Sequence, residues 1–239
     1  MTPELVLMAY ARGLFPMADS ATAEDIYWYD PEMRGQLSIS HLHVPRRLRK
    51  TVRQNPYDIG FNYDFAGVMQ GCSKSAPGRT DTWINGAIRD VFVALHRAGH
   101  AHSVEAWHNG NLVGGLYGLA IGGAFFGESM FSDKTDASKI CLVHMCAHLK
   151  QQGYSIFDTQ FINQHLKQFG VYELPRDEYL AKLENALKLD VNFVPDQSSR
   201  ISGSSSGGVS DASSFDSSVS FASSLDSVTE FLQSITQTS

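Results

Sequence analysis

Residues 103–131 constrain the fold of this chain more than any other segment. Three apolar runs in it have the length of strands: 103–108, 112–121 and 124–131. The dipeptide Asn109-Gly110 lies between the first two and favours a tight hairpin turn. The segment therefore predicts three consecutive antiparallel strands.

Helical patterns flank these strands at 85–98 and 137–152. Gly99 and Gly153 follow them directly, as glycine often does at the end of a helix. A strand at 154–158 and a short helix complete the pattern. Antiparallel strands combined with helix, strand and helix predict an α+β fold with a mixed sheet.

The chain is predicted to have three parts. Residues 1–60, with short helices and strand-like segments, form a small N-terminal domain, and residues 61–195 form the larger domain. Residues 196–239 are rich in serine and poor in apolar side chains, so we predict a disordered tail. The alternative is a binding tail anchored by Phe215, Phe221, Leu225 and Phe231.

The composition narrows the class of protein. Three unevenly spaced cysteines (Cys72, Cys141 and Cys146) do not suggest a disulfide framework, so a reducing compartment is expected. No apolar run is long enough to cross a bilayer, and the first residues do not resemble a signal peptide. We therefore expect a cytoplasmic protein without membrane contact. The net charge of −6 disfavours a general nucleic-acid binder but permits a local basic patch.

Such a patch occurs in the helix predicted to begin at Pro45. Its basic residues lie within eight positions: Arg46, Arg47, Arg49, Lys50 and Arg53. Four of them share one helical face, while Leu48 and Val52 lie on another. A cationic face of this kind can bind a phosphate backbone without reading its sequence. A solvated surface helix has the same pattern, and the clustering in an acidic protein favours phosphate binding.

Two carboxylates lie in apolar strand segments. Glu128 falls inside the third strand, and Asp158 ends the strand at 154–158, with Gln160 on the same side two positions later. A carboxylate near a buried strand needs a partner, because desolvating the charge alone is costly. These residues therefore either make structural hydrogen bonds or line a binding crevice at the strand ends.

The glycines and histidines of the larger domain give no support for a nucleotide-binding loop or a metal site. Six glycines between positions 114 and 127 fit either a ligand close to the backbone or close packing, and they form no nucleotide-binding motif. Cys141, His144 and His148 share a helical face, but Met145 stands where a metalloprotease helix carries glutamate. We interpret the three as buried helix residues and expect neither a metal nor a cofactor.

Seven short motifs occur in an order that resembles the leucyl/phenylalanyl-tRNA–protein transferases. They are residues 9–16, 82–84, 99–107, 112–118, 127–132, 137–139 and 157–160. The resemblance covers residues 1 to about 190 and excludes the serine-rich tail. It implies a C-terminal domain similar to the acetyltransferase (GNAT) fold. It also implies transfer of Leu or Phe, less often Met, from aminoacyl-tRNA to proteins that begin with Arg or Lys, which marks them for degradation.

The resemblance implies roles for individual residues. Trp83 would stack near the terminal adenosine of the tRNA, and Asn163 would support the reacting centre. That centre would contain Glu128, Asp158 and Gln160. The pocket for the aminoacyl side chain would be lined by Leu116, Phe125, Gly127, Met130, Met145 and Phe157. Phe157 stands where a smaller aliphatic residue is common, which could shift the preference between Leu and Phe.

Two roles are open for Asp158. It could act as a base on the α-amine, directly or through Gln160, or bind the cationic side chain of the acceptor, and we favour binding.

Two other functions are considered for the whole chain. The fold alone suggests an acetyl-CoA-dependent N-acetyltransferase, although its pyrophosphate-binding loop is missing from the sequence. The basic helix and Trp83 suggest a non-catalytic RNA-binding module. Nothing in the sequence indicates an obligate interface, so a monomer is expected.

Overall fold

The computed structural model describes residues 1–74, 82–193 and 217–236, and side chains in all of these except 217–225. The strands are β1 (Phe15–Met17), β2 (Tyr27–Tyr29), β3 (Met33–Leu37), β4 (Asp58–Phe61), β5 (Ala101–His108), β6 (Asn111–Ile121), β7 (Ala124–Ser132), β8 (Ile156–Gln160) and β9 (Tyr172–Pro175). The helices are α1 (Pro3–Tyr10), α2 (Arg46–Gln54), α3 (Phe65–Ser73), α4 (Gly86–Arg97), α5 (Ala137–Gln152), α6 (Gln164–Lys167), α7 (Arg176–Leu187) and α8 (Ser217–Ser234).

The main sheet is mixed. Its strand order is β4-β5-β6-β7-β8-β3-β9, and neighbouring strands run antiparallel except for the parallel pair β7 and β8. Strands β5, β6 and β7 are the three consecutive strands that the sequence predicts. Asn109 and Gly110 have φ angles of 52° and 74° in the first turn, and positive values at both positions suit a hairpin. The predicted α+β fold with a mixed sheet is confirmed.

Helices cover both faces of this sheet. Helices α2, α5 and α8 pack on one face, and α1, α3, α4 and α7 pack on the other. Helix α5 buries eleven of its sixteen residues because it lies between the sheet and α8. Within the described ranges, no helix is long and apolar enough to cross a membrane.

Two glycines of β6 let helices approach the sheet closely. A Cβ atom at Gly114 would lie 2.5 Å from the Cβ of Ala137 in α5. One at Gly115 would lie 2.8 Å from Cγ2 of Val68 in α3, on the other face. Both distances are shorter than van der Waals contact. Of the two explanations that the sequence left open, close packing holds at these positions.

The end of the chain corrects one prediction. Residues 217–234 form α8, so the predicted disorder of 196–239 is wrong for this stretch. Its apolar side chains Val228, Phe231 and Leu232, and Ile235 just after it, pack beside α5 and β4. Phe231 therefore anchors the helix to its own chain. Phe215 and the side chains of Phe221 and Leu225 lie outside the described part.

The domain boundary predicted at residue 60 stays a prediction. The first 61 residues contribute β3 and β4 to the main sheet, where they pair with β8 and β5 respectively. The small sheet of β1 and β2, together with α1, lies outside it, and α1 packs against α4.

Candidate active site

A cavity of about 690 Å³ lies where β7 and β8 separate. The two strands pair in parallel only from Ala124 and Ile156 to Phe126 and Asp158. Beyond that point β7 continues against β6, while the end of β8 pairs with β3. Two diverging strands leave a crevice between them, which is a common position for a binding site.

The cavity wall has an apolar part and a polar part. The predicted residues Trp83, Leu116, Gly127, Met130, Phe157 and Asn163 all line it. The other lining residues are Gly71, Lys74, Glu128, Ser129, Phe131, Ser132, Asp133, Ser138, Leu142, Thr159, His165 and Leu166. The apolar side chains can bury a large hydrophobic group beside a titratable carboxyl.

Two residues predicted to line the pocket are not among those that line this cavity. Phe125 and Met145 are fully buried in the core. The ring of Phe125 packs edge-on against that of Phe157, with centroids 5.2 Å apart. A strand residue placed behind another ring supports the wall without contacting a ligand, and interior packing transmits a change in its volume.

Glu128 has an unusual environment. Its Oε1 accepts hydrogen bonds from the hydroxyl of Tyr10 at 2.7 Å and from Nε2 of Gln160 at 2.9 Å. Its Oε2 is buried and has no hydrogen-bond partner among the described residues. Burial raises the pKa of Glu128 to about 8, against the lowering effect of the two hydrogen bonds. A carboxyl that titrates near neutral pH can exchange a proton with a bound substrate.

Asp158 is fully buried and paired with Arg34 of β3. Arg34 Nε lies 3.0 Å from both carboxylate oxygens, and Nη2 lies 2.7 Å from Oδ2. The hydroxyl of Tyr179 also donates to Oδ2, at 2.6 Å. Burial alone would lower the pKa of Arg34, but the neighbouring Asp158 carboxylate raises it above its usual value.

This environment disfavours the binding role that we favoured for Asp158, and the role of this residue stays a prediction. An acceptor's cationic side chain needs an accessible carboxylate, whereas Asp158 has no exposed surface and already binds a guanidinium group. Removing Arg34 to make room would leave a buried charge without its partner, at a high cost. Asp158 does lie next to Gln160, another predicted site residue, whose backbone N–H donates to its Oδ1 at 2.8 Å.

Tyr10, Arg34 and Tyr179 are site residues that the sequence reasoning missed. Tyr10 lies in one of the family-like motifs, which is a signal that could have been used. Arg34 follows Met33 and precedes Gly35 and Gln36, so nothing local predicts its burial to 1% exposure. Its partner lies 124 residues away along the chain.

The basic helix α2 packs against α5, whose residues Ser138 and Leu142 line the cavity. It buries Leu48 and Val52, and its exposed side chains include Arg46, Lys50 and Arg53. Arg47 forms an ion pair of 2.8 Å with Asp136, which directly precedes α5 and also binds Lys139. Arg49 Nη1 donates to Thr236 Oγ1 at the end of α8. The phosphate-binding role of the helix stays a prediction.

The candidate zinc ligands of α5 belong to the core. Cys141 and His144 are buried, and burial lowers the pKa of His144 to about 3. His148 Nε2 lies 2.6 Å from the carbonyl oxygen of Phe193. The part of the chain that the structure describes contains no group of three or more candidate metal ligands.

Comparison with known sequences decides the family. A family model described as "Leucyl/phenylalanyl-tRNA protein transferase" matches residues 36–184, and one described as the N-terminal domain of that family matches residues 1–32. The chain belongs to the leucyl/phenylalanyl-tRNA–protein transferase family. It is therefore an enzyme that transfers an aminoacyl group from tRNA to protein.

Individual relatives agree with this family assignment. A leucyl/phenylalanyl-tRNA–protein transferase of Hyphomonas neptunium is 50% identical over 217 residues, covering 88% of this chain and 83% of the relative. The transferase of Rhodopseudomonas palustris is 49% identical over 188 residues, covering 79% and 84%. The resemblance inferred from the motifs is confirmed.

Similarity to one solved structure is too weak to assign the fold. That structure is the C-terminal domain (DUF2156) of a putative lysylphosphatidylglycerol synthetase from Agrobacterium fabrum, with a TM-score of 0.36 and 13% identity. The match covers 79% of this chain and 59% of that one. The expected likeness to the acetyltransferase fold stays a prediction.

Proposed function

We propose that this transferase moves Leu or Phe, and less often Met, from aminoacyl-tRNA to the N-terminal Arg or Lys of acceptor proteins and so marks them for degradation. The main support is a cavity in which an apolar wall adjoins Glu128, whose pKa burial raises to about 8. The preference for Arg and Lys rests on the family resemblance. Cytoplasmic location and a monomeric state stay predictions from the sequence.

The apolar wall explains the proposed choice of amino acid. Leu116, Met130 and Phe157 line the cavity and can surround a large aminoacyl side chain. Burial of one methylene contributes only about 0.8 kcal/mol, so a pocket of this kind separates Leu, Phe and Met weakly. Some transfer of Met is the expected consequence.

Glu128 is suited to manage the proton. An α-amino group has a pKa of about 7.7–8.0, so its proton can pass to a carboxyl that titrates near 8 with little free-energy cost. Oε1 is held by Tyr10 and Gln160, which leaves Oε2 for the substrate amine.

The reaction then needs one proton transfer in each direction. Starting from the neutral amine, Glu128 takes a proton from the attacking nitrogen while the C–N bond forms at the ester carbonyl. The ester C–O bond breaks, and the proton passes to the departing ribose oxygen. Glu128 is thereby restored, and holding amine and ester together supplies much of the remaining rate.

The tRNA is placed by two surfaces in this proposal. Trp83 lines the cavity and offers an aromatic face to the terminal adenine. The exposed basic residues of α2 bind backbone phosphates next to it, and the Arg47–Asp136 ion pair connects α2 to the start of α5. Ser138 in the first turn of α5 lines the same cavity as Trp83, so α5 connects the two surfaces.

The test uses Leu-, Phe- and Met-tRNA, each with a labelled amino acid, and peptides that differ only in the first residue: Arg, Lys, Asp or Ala. We expect label on the Arg and Lys peptides, with Leu and Phe transferred faster than Met. Label on the Asp or Ala peptide would contradict the acceptor proposal. Absence of transfer to all four, with tRNA still bound, would overturn the proposed function and favour a module that only binds RNA.

A further inference from the structure

We propose that Arg34 and Tyr179 are positioning residues for the transfer reaction: acting through Asp158 they hold Gln160, and through Gln160 they orient Glu128 towards the substrate amine. This inference rests on the proposed role of Glu128. It assigns a function to a buried network in which neither residue contacts the substrate.

The guanidinium group of Arg34 is fixed on every side. It makes a forked contact with Asp158, and its Nη1 donates to the carbonyl oxygen of Gly13 at 2.7 Å. The rings of Phe15 and Tyr179 enclose it, with centroids 4.5 Å and 4.8 Å from its Cζ. A planar guanidinium held in this way sets both the position and the rotation of the carboxylate that it binds.

Asp158 transmits this orientation to Gln160. Its Oδ2 accepts from Arg34 Nη2 at 2.7 Å and from the hydroxyl of Tyr179 at 2.6 Å. Its Oδ1 is thereby directed at the backbone of Gln160, whose N–H donates to it at 2.8 Å. Fully satisfied networks of this kind are rigid, since each hydrogen bond polarises the next.

The backbone of Gln160 depends on that contact. Its φ angle is +62°, in the left-handed region that residues other than glycine rarely adopt. Such a conformation persists only where surrounding contacts enforce it. Here it ends β8 and brings Nε2 of Gln160 within 2.9 Å of Glu128 Oε1. Loss of the Asp158 contact would release both.

A purely stabilising role explains less of this arrangement. A buried ion pair contributes little net stability, because desolvation offsets the attraction between the charges. Side chains from β3 and α7, Arg34 and Tyr179, nevertheless both bind the carboxylate of Asp158 on β8, next to the proposed reacting centre. An exposed pair, Arg176–Asp30 at 2.6 Å, also joins α7 to the first part of the chain without contacting Asp158. It provides a matched control.

The experiment compares Tyr179→Phe, Arg34→Lys and the control Arg176→Met with the wild type. Tyr179→Phe removes the hydroxyl and keeps the ring, and Arg34→Lys keeps the charge but loses the fork. Two experiments are carried out on each protein. One is transfer of Phe from tRNA to an Arg peptide, with kcat and KM determined separately. The other is the hydrogen-exchange rate of the Gln160 backbone amide by NMR, with each protein measured at the same interval below its own thermal midpoint.

We expect both site variants to lower kcat by about tenfold or more, as loss of a hydrogen bond to a charged group allows. KM for tRNA and peptide should change by less than about twofold, because neither residue contacts substrate. Exchange at the Gln160 amide should accelerate in both. Arg176→Met should leave all three quantities unchanged.

Two outcomes would overturn the proposal. One is unchanged exchange at Gln160; the other is a loss of kcat no larger than the loss of folded protein. If the wild type transfers nothing, the proposed function fails, and the exchange rates alone then decide whether Arg34 and Tyr179 hold Gln160. A kcat loss in Tyr179→Phe with unchanged exchange at the Gln160 amide would likewise overturn it, because the hydroxyl would then act without holding Gln160.

Discussion

Gln160 Nε2 and Glu128 Oε1 form a hydrogen bond of 2.9 Å across the gap between the strands that separate around the cavity. Tyr10 donates to the same oxygen from α1. Hydrogen bonds thus hold the carboxyl of Glu128 through Oε1, and Oε2 has no hydrogen-bond partner among the described residues. A group held in this way keeps a fixed orientation, and its second oxygen has unused hydrogen-bonding capacity on a residue that lines the cavity.

The raised pKa of Glu128 predicts a pH-dependent stability. Burial raises this pKa from 4.5 to about 8, with Asp158 adding to the rise and Tyr10, Gln160 and Arg34 opposing it. Between these values the folded protein binds more protons than the unfolded chain, so stability falls as pH rises through this window. Glu128→Gln removes this contribution. Urea unfolding of both proteins at several pH values measures the difference.

The slope attributable to Glu128 should approach about 1.4 kcal/mol per pH unit inside the window. Taking the difference between the two proteins cancels the contributions of histidines and other carboxylates. Parallel stability curves for wild type and variant would mean that Glu128 is ionised in the folded protein at all these pH values.

Docking of α8 predicts a loss of stability in Phe231→Ala. Phe231 is 4% exposed and packs in the core beside α5, under the ammonium group of Lys150 at 5.6 Å. Truncation of a buried Phe costs about 3–5 kcal/mol, less if α8 detaches, so the thermal midpoint should fall by roughly 5 °C or more. Gln233→Ala, at an exposed position of the same helix, is the control. Equal midpoints would show that α8 is not docked in solution.

Phe157 predicts a change in donor preference. Its ring lines the cavity, and a Cβ at Gly127 would lie 2.6 Å from its Cε2, so the ring fills the space that glycine leaves. Phe157→Leu enlarges the pocket and should raise the ratio of kcat/KM for Phe-tRNA over Leu-tRNA roughly three- to tenfold. Phe161→Leu, outside the cavity wall, should leave the ratio unchanged. A ratio that moves towards Leu would refute this assignment of the pocket.

The basic face of α2 predicts a salt-dependent affinity for tRNA. Lys50 and Arg53 are exposed on this helix. Each phosphate contact contributes about 0.7–0.9 to the slope of log affinity against log salt, so Lys50→Ala and Arg53→Ala should each lower the slope by about one. Arg89→Ala on α4 is the control. A wild-type affinity that does not change with salt would exclude the phosphate-binding role.

Local rules made much of the sheet predictable. The turn at Asn109-Gly110 and the stop signals at Gly99 and Gly153 depend on a few neighbouring residues, and α5 spans the predicted residues 137–152. Strand β8 was predicted at 154–158 and lies two residues later. Its last residue, Gln160, pairs with Gly35 of β3, a partner that a distant segment supplies.

The parts that escaped prediction depend on contacts across the chain. Arg34 shows no local sign of burial, and its environment exists only because Asp158 and Tyr179 fold onto it. The serine content of the tail predicts disorder. However, the spacing of Val228, Phe231 and Ile235 forms an apolar stripe that becomes stabilising once α5 presents a matching face. Helix α7 follows the same logic, with Tyr179 and Leu183 four residues apart.

The most direct test of Glu128 as the proton acceptor is kcat/KM for transfer of Phe to an Arg peptide across about pH 6 to 9 in wild type and Glu128→Gln. The peptide amine titrates in both assays, so the ratio of the two values isolates Glu128. We predict that this ratio rises with pH up to about 8 and then levels, as the pKa of Glu128 requires, with a plateau of about a hundred or more. A ratio near one at every pH would contradict the account.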